Sequence, residues 1–173
     1  MKAKSILIIG SIALLAACNP VAPQRPTHRS GSAPQIDSAQ LAVLELNQQL
    51  AIAADKQLTL FAQSQEETYA LYESHTWMTI LSRGDESSAC PAENEEWTIH
   101  MRVYDLQKNL LLDSEAAYPI GKNELPLAIE ANIREMHHGT QVRMIAPWYA
   151  AFGMQGTAQV PPYENVIIEM ELR

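Results

Sequence analysis

Cysteine is scarce in this chain of 173 residues: there are two, Cys18 and Cys90. A disulfide framework is therefore excluded. Positive charge is also short. Twelve Lys and Arg stand against twenty Asp and Glu, for a formal net charge of -8. Without a basic patch, nucleic acid is not a partner to expect. Five scattered histidines show no metal-ligand spacing. No phosphate-cradling glycine loop and no nucleophile elbow occurs. No apolar run reaches the 20 or so residues that a membrane-spanning helix needs. What is abundant is apolar side chain, at 47% of the chain, enough for one compact core.

The N-terminus carries a targeting pattern. Lys2 and Lys4 precede an apolar run from Ile6 to Leu15, which ends in Leu15-Ala16-Ala17-Cys18. Short basic region, apolar region and small residues before a cut are the layout of a signal peptide. A cysteine directly after Leu-Ala-Ala resembles the lipobox of bacterial lipoproteins. That resemblance implies cleavage after residue 17 and lipid on Cys18. Asn19 then leans toward the outer membrane, with the protein facing the periplasm. Cleavage removes Lys2 and Lys4, so the net charge falls from -8 to -10. It also leaves Cys90 as the only free thiol. Cys90 lies in the polar stretch Asp85 to Glu96 and is read as incidental.

Residues 18–35 form a tether. Pro20, Pro23, Pro26 and Pro34 occur there with almost no large apolar residue. Such a segment cannot bury enough surface to fold. Stretched out, it would reach about 55 Å. The next stretch, Ile36 to Arg83, has neither glycine nor proline. Asp37 and Gln40 have capping-box spacing. Leu46, Leu50, Ala54, Leu58 and Phe61 follow at helical intervals, and Tyr69 and Tyr72 extend the stripe. The expectation is a helix from Asp37 to Tyr72 with Ser64 as its weak point, in a segment 36–75. Its stripe packs on the domain or pairs two copies into a homodimer.

From residue 76 to 173 the period changes. Thr76–Leu81 reads as a strand and Arg83–Asn94 as a polar loop. Trp97, Ile99, Met101 and Val103 alternate with polar residues, as in a half-buried antiparallel strand. Leu110–Leu112 is a short strand. Glu124–Met136 reads as a helix with Leu125, Ile129, Ile133 and Met136 on one face. His137-His138 caps a turn in solvent before Gly139. Strands follow at Gln141–Ala146 and Asn165–Leu172, separated by a loop rich in glycine and proline. The class is α+β: a curved antiparallel sheet, one short helix on it, and a long helix before it.

The last half resembles a known family. Glu124-Leu-Pro-Leu-Ala-Ile-Glu-Ala-Asn-Ile-Arg-Glu-Met136, Gly139, Ile145-Ala-Pro-Trp-Tyr-Ala-Ala-Phe-Gly153, Val160-Pro-Pro162 and Val166-Ile-Ile-Glu-Met-Glu-Leu172 are similar in order and spacing to FKBP-type peptidyl-prolyl isomerases. The likeness runs from about Glu96 to Arg173. Arg25-Pro26, Arg29-Ser-Gly-Ser32, the long helix and Val103-Tyr-Asp-Leu106 further resemble the gliding-motility-associated FKBP-type lipoproteins of Bacteroidetes.

Rotation about an X–Pro bond is slow because it costs about 18–20 kcal/mol of amide resonance. A catalyst needs no acid or nucleophile for this. It needs a dry apolar cup for the proline ring that favours the twisted amide over the planar one. The resemblance implies which residues form that cup. The tyrosine of the first pocket strand falls at Met101. The phenylalanine–aspartate pair falls at Leu111-Leu112, or at Leu112-Asp113 with one residue inserted. The valine–isoleucine pair before the helix falls at Leu125-Pro126, and the tryptophan floor at Ile129. Phe152 takes the place of the tyrosine after the proline turn, Val160 that of the isoleucine before two prolines, and Ile168 that of the last-strand phenylalanine. Two hydrogen bonds of the family pattern are lost here. Pro126 has no N–H to offer, and Phe152 has no hydroxyl. Each would cost on the order of 1 kcal/mol of binding.

Two functions of different class follow. One is an envelope isomerase acting on prolyl polypeptide clients, with no cofactor. The other is a non-catalytic module that assembles partners of a gliding or secretion machinery. The same apolar residues are equally what a plain core requires.

Overall fold

The computed structural model describes residues 37–173. The expected signal peptide, Cys18 and tether lie outside the described residues. Among the described residues, no helix is long and apolar enough to cross a membrane.

The first helix, α1, spans Ser38–Gln63. Asp37 caps it with the expected reciprocal pair: Asp37 Oδ1 accepts from the Gln40 N–H at 2.7 Å, and Gln40 Oε1 accepts from the Asp37 N–H at 3.3 Å. The helix stops short of Tyr72. The Ser64 hydroxyl and the Gln65 amide both donate to the Phe61 carbonyl, at 2.7 and 3.1 Å. Capping of that carbonyl by local side chains ends the helix. Tyr69 then turns into a side-chain cluster, and Ala70–Leu71 forms the two-residue strand β1.

Five more strands follow: β2 Trp77–Arg83, β3 Glu96–Asp105, β4 Leu110–Pro119, β5 Thr140–Ala146 and β6 Val166–Leu172. All pair antiparallel, in the order β1-β2-β5-β6-β3-β4. β4 is longer than the Leu110–Leu112 read from apolar residues. Its second half, Asp113 to Ala117, is polar or small, so its strand character comes from the ladder with β3 rather than from its own pattern.

The sheet has two dressed faces. Its inner face carries Ile99, Met101 and Val103 of β3, Val142 and Met144 of β5, and Val166, Ile168, Met170 and Leu172 of β6. Helix α2, Leu127–Glu130, and a 3-10 turn at Ile133–Glu135 cover it. The expected helix Glu124–Met136 is thus broken into two pieces. Pro126 sits at the N-cap with φ -51° and ψ 141°, so no helical turn precedes it. Asn132 then closes the short helix by donating its side-chain amide to the Ala128 carbonyl at 2.8 Å. Leu125, Ile129, Ile133 and Met136 are nonetheless all buried.

On the outer face, Leu58 and Ala62 of α1 pack on Ile145 of β5 and Ile167 of β6, with Phe61, Tyr69, Trp77, Tyr104 and Leu106 around them. Helix α1 also grips the long loop between β5 and β6. Tyr149 donates to Asp55, Tyr163 to Asn47 at 3.2 Å, and Asn165 to Gln57 at 3.0 Å.

Candidate functional site

The inner face gathers most of the expected cup residues into one cluster. Ile129, Val160 and Ile168 are fully buried, and Met101 and Leu125 are 4% and 6% exposed. Leu112 and Phe152 are half-buried against the same cluster. Pro126 is half-buried at the start of α2. The register explains the meeting: Met101 pairs with Met170, and Val103 with both Ile168 and Leu112. Successive strand residues point to opposite faces. Met101, Val103, Leu112 and Ile168 therefore share the inner one.

Asp113 does not join them. It stands opposite Arg102 and accepts from His100 Nε2 at 2.9 Å, with half of its side chain exposed. Being next to Leu112 in a strand sends it to the outer face. Of the two alignments of the phenylalanine–aspartate pair, only Leu111-Leu112 puts both side chains against the cluster.

Val160 is fixed by its own turn. Its N–H donates to Thr157 Oγ1 at 3.0 Å and its carbonyl accepts from the Thr157 N–H at 2.8 Å. The Ala128 N–H bonds the Ala150 carbonyl at 2.8 Å, joining α2 to the loop that carries Phe152. Trp148 is buried, and its N–H donates to Asn165 Oδ1 at 2.9 Å. These loop anchors were not visible in the sequence: Trp148, Tyr149 and Asn165 have no periodicity, and their partners lie in α1 or beyond the loop.

The buried residues of the cluster are all apolar, with Tyr118 and Tyr149 packed at its margin. Ile129 decides how much room it has. A tryptophan floor at this position would make a shaped cup, but Ile129 has no exposed surface. Ile129→Trp should therefore overpack, lowering stability by about 1–3 kcal/mol in urea denaturation. A stabilised or unchanged protein would mean that space exists beneath Leu125 and Phe152.

Tyr149 marks the seam between α1 and this loop. Burial, then its hydrogen bond to Asp55, holds its phenol well above the usual range. In the unfolded chain the phenol ionises near pH 10, whereas the folded one resists. This contribution is full below pH 10 and is lost as pH rises beyond it. Tyr149→Phe should flatten the alkaline limb of a stability-versus-pH curve.

His137 departs from its sequence reading. His137 is half-buried rather than in solvent. Its Nδ1 donates to the Ser88 carbonyl at 2.8 Å, and the same atom lies 3.7 Å from Cys90 Sγ. No group of three acidic, histidine or cysteine side chains able to hold a metal occurs among the described residues.

No family model matches the sequence, and no curated protein matches it either. Solved structures do match in shape. A peptidyl-prolyl cis-trans isomerase from Pseudomonas syringae pv. tomato superposes with a TM-score of 0.59 at 16% identity, over 72% of this chain and 92% of that one. The N-terminal domain of FKBP42 from Arabidopsis thaliana superposes with a TM-score of 0.52 at 19% identity, over 63% of this chain and 92% of that one. At such identities the likeness is one of architecture: the chain has an FKBP-like fold, and its sheet is preceded in the chain by the long helix α1.

Proposed function

We propose that this protein is a membrane-anchored FKBP-type peptidyl-prolyl isomerase, a folding helper for envelope proteins with a degenerate pocket and low activity. One observation carries the reading. In an FKBP-like fold, Met101, Leu125, Ile129, Val160 and Ile168 meet in one apolar cluster, with Leu112 and Phe152 half-buried against it. Those two side chains and Pro126 keep partial exposure and are the cup residues a prolyl ring would meet. The missing donors at Pro126 and Phe152 weaken the grip on the substrate carbonyl. A lipid on Cys18 would offset a weak pocket by keeping the domain at high local concentration near its clients.

Proline-limited refolding with purified protein is the test. A rate gain that disappears in Phe152→Ala supports the reading, and no gain at any protein concentration ends it. Loss of membrane association in Cys18→Ser tests the anchor separately.

A second reading has its own support. Three of the cup residues are fully buried, which suits a filled core better than an open pocket. In that case the domain is a binding or assembly module of an envelope machinery for gliding or secretion, working through α1. Deleting Asp37–Tyr72 would then abolish function while substitutions at Phe152 and Val160 stay silent.

A further inference from the structure

A cavity of about 320 Å³ lies on the outer face, on the other side of the sheet from the cup. It opens where α1 ends. Phe61, Tyr69, Tyr104 and Ile167 form its apolar walls, Arg143 lines it from β5, and Lys108 joins from the β3–β4 turn. We propose that this cavity binds an apolar carboxylate: a carboxylate borne on an aromatic or branched aliphatic body, such as an aryl-alkanoic acid or the C-terminal residue of a polypeptide.

The size is at the lower end of small-molecule pockets. The polar lining is Gln65, Glu67, Lys108, Glu169 and Arg143, and of these the Arg143 guanidinium has the planar fork that suits a carboxylate. Arg143 uses that fork unevenly. Its Nε and Nη2 each lie 2.9 Å from Glu169 Oε1, and its Nη1 lies 2.5 Å from Glu67 Oε1. Glu169 is anchored in β6 and is already shared, since Arg102 Nη2 reaches its other oxygen at 2.8 Å. Glu67 is different. It sits in the turn between α1 and β1, with 44% of its side chain exposed. It is a tethered carboxylate, held where an incoming one would dock and able to swing out into water.

Charge points the same way. Among the lining residues the cations Arg143 and Lys108 balance the carboxylates Glu67 and Glu169, so Glu67 swinging out leaves one net positive charge for an incoming carboxylate. In a chain at -8 overall, the positive charge exposed when Glu67 withdraws favours an anion in its place. Neither the isomerase reading nor its alternative is needed for this site.

Titration of the full-length protein with 3-phenylpropionate, followed by the NMR signals of Tyr69, Tyr104 and Ile167, tests the assignment. 3-Phenylpropionamide is the control. The acid should bind saturably and the amide about ten-fold more weakly, because one charge-assisted pair is lost. Glu67→Gln should tighten binding of the acid several-fold, and Lys108→Gln should loosen it several-fold. Both residues lie on the surface, so both variants should fold. Ala-Ala-Phe with a free terminus, against its amidated form, separates the two sources. Tighter binding than 3-phenylpropionate assigns a polypeptide terminus, and weaker binding assigns a small acid. Equal binding of acid and amide, no saturable binding, or weaker binding in Glu67→Gln would overturn the proposal.

Discussion

Leu58→Ala should cost about 3 kcal/mol and loosen α1 from the sheet while leaving the inner core intact. Leu58 is 1% exposed and is the largest side chain that α1 buries. Its neighbours are Ala62, Ile145 and Ile167. Large-to-small changes at such sites cost about 2–5 kcal/mol, the spread reflecting how far the site collapses. Collapse is limited here, because Ile145 and Ile167 belong to central strands. Besides Leu58, α1 has the smaller packing contacts of Phe61 and Ala62 and side-chain hydrogen bonds to the loop, each bond contributing on the order of 1 kcal/mol. They cannot hold the helix alone. Hydrogen exchange should accelerate across Ser38–Gln63 well before it does in β3 or β6. If α1 and β6 lose protection together, the helix is part of the same cooperative unit as the core.

Gly156→Ala should be comparably severe, at about 3 kcal/mol, and should act on the cup. Gly156 has φ +63°, and a Cβ there would lie 2.3 Å from the Val160 carbonyl oxygen and 2.7 Å from the Pro161 carbonyl carbon. Both obstacles are backbone, so neither can rotate away. A non-glycine residue in this region costs about 1–3 kcal/mol even in open space. To relieve the overlap, the turn must move Val160, which is fully buried against the cup. Gly153→Ala is the matched control. Its φ is +73°, but nothing lies within 4 Å of the added atom. Urea denaturation of the two variants separates conformational strain from collision. Equal losses in both would show that the Val160 turn yields freely.

The sequence was most readable where one side of an element is buried. Alternation in β3 and β6, the capping box at Asp37 and the face Leu125–Ile129–Ile133–Met136 all survive in the structure, because each follows from backbone geometry and burial. Reading failed where partners decide. The end of α1 depends on Ser64 and Gln65 bonding the Phe61 carbonyl, the second half of β4 on its ladder with β3, and the length of α2 on Pro126 and Asn132. The side of the sheet that Asp113 faces followed only once the register with β3 was known. The cavity beside Arg143 had no sequence signature, since its walls come from α1, the turn after it and three strands.

Strand order also sets a timetable. β6 lies between β5 and β3 at the centre of the sheet, yet it is the last strand to be made. Until residues 166–172 emerge, β2 with β5 and β3 with β4 are two separate ladders without a shared edge. The β3–β4 hairpin can form early because its closure is local. The docking site of α1 cannot, because Ile167 forms half of its floor. During synthesis, α1 must therefore wait with Leu58 uncovered until β6 is made. Formation of this seven-residue strand is the event that ends the wait.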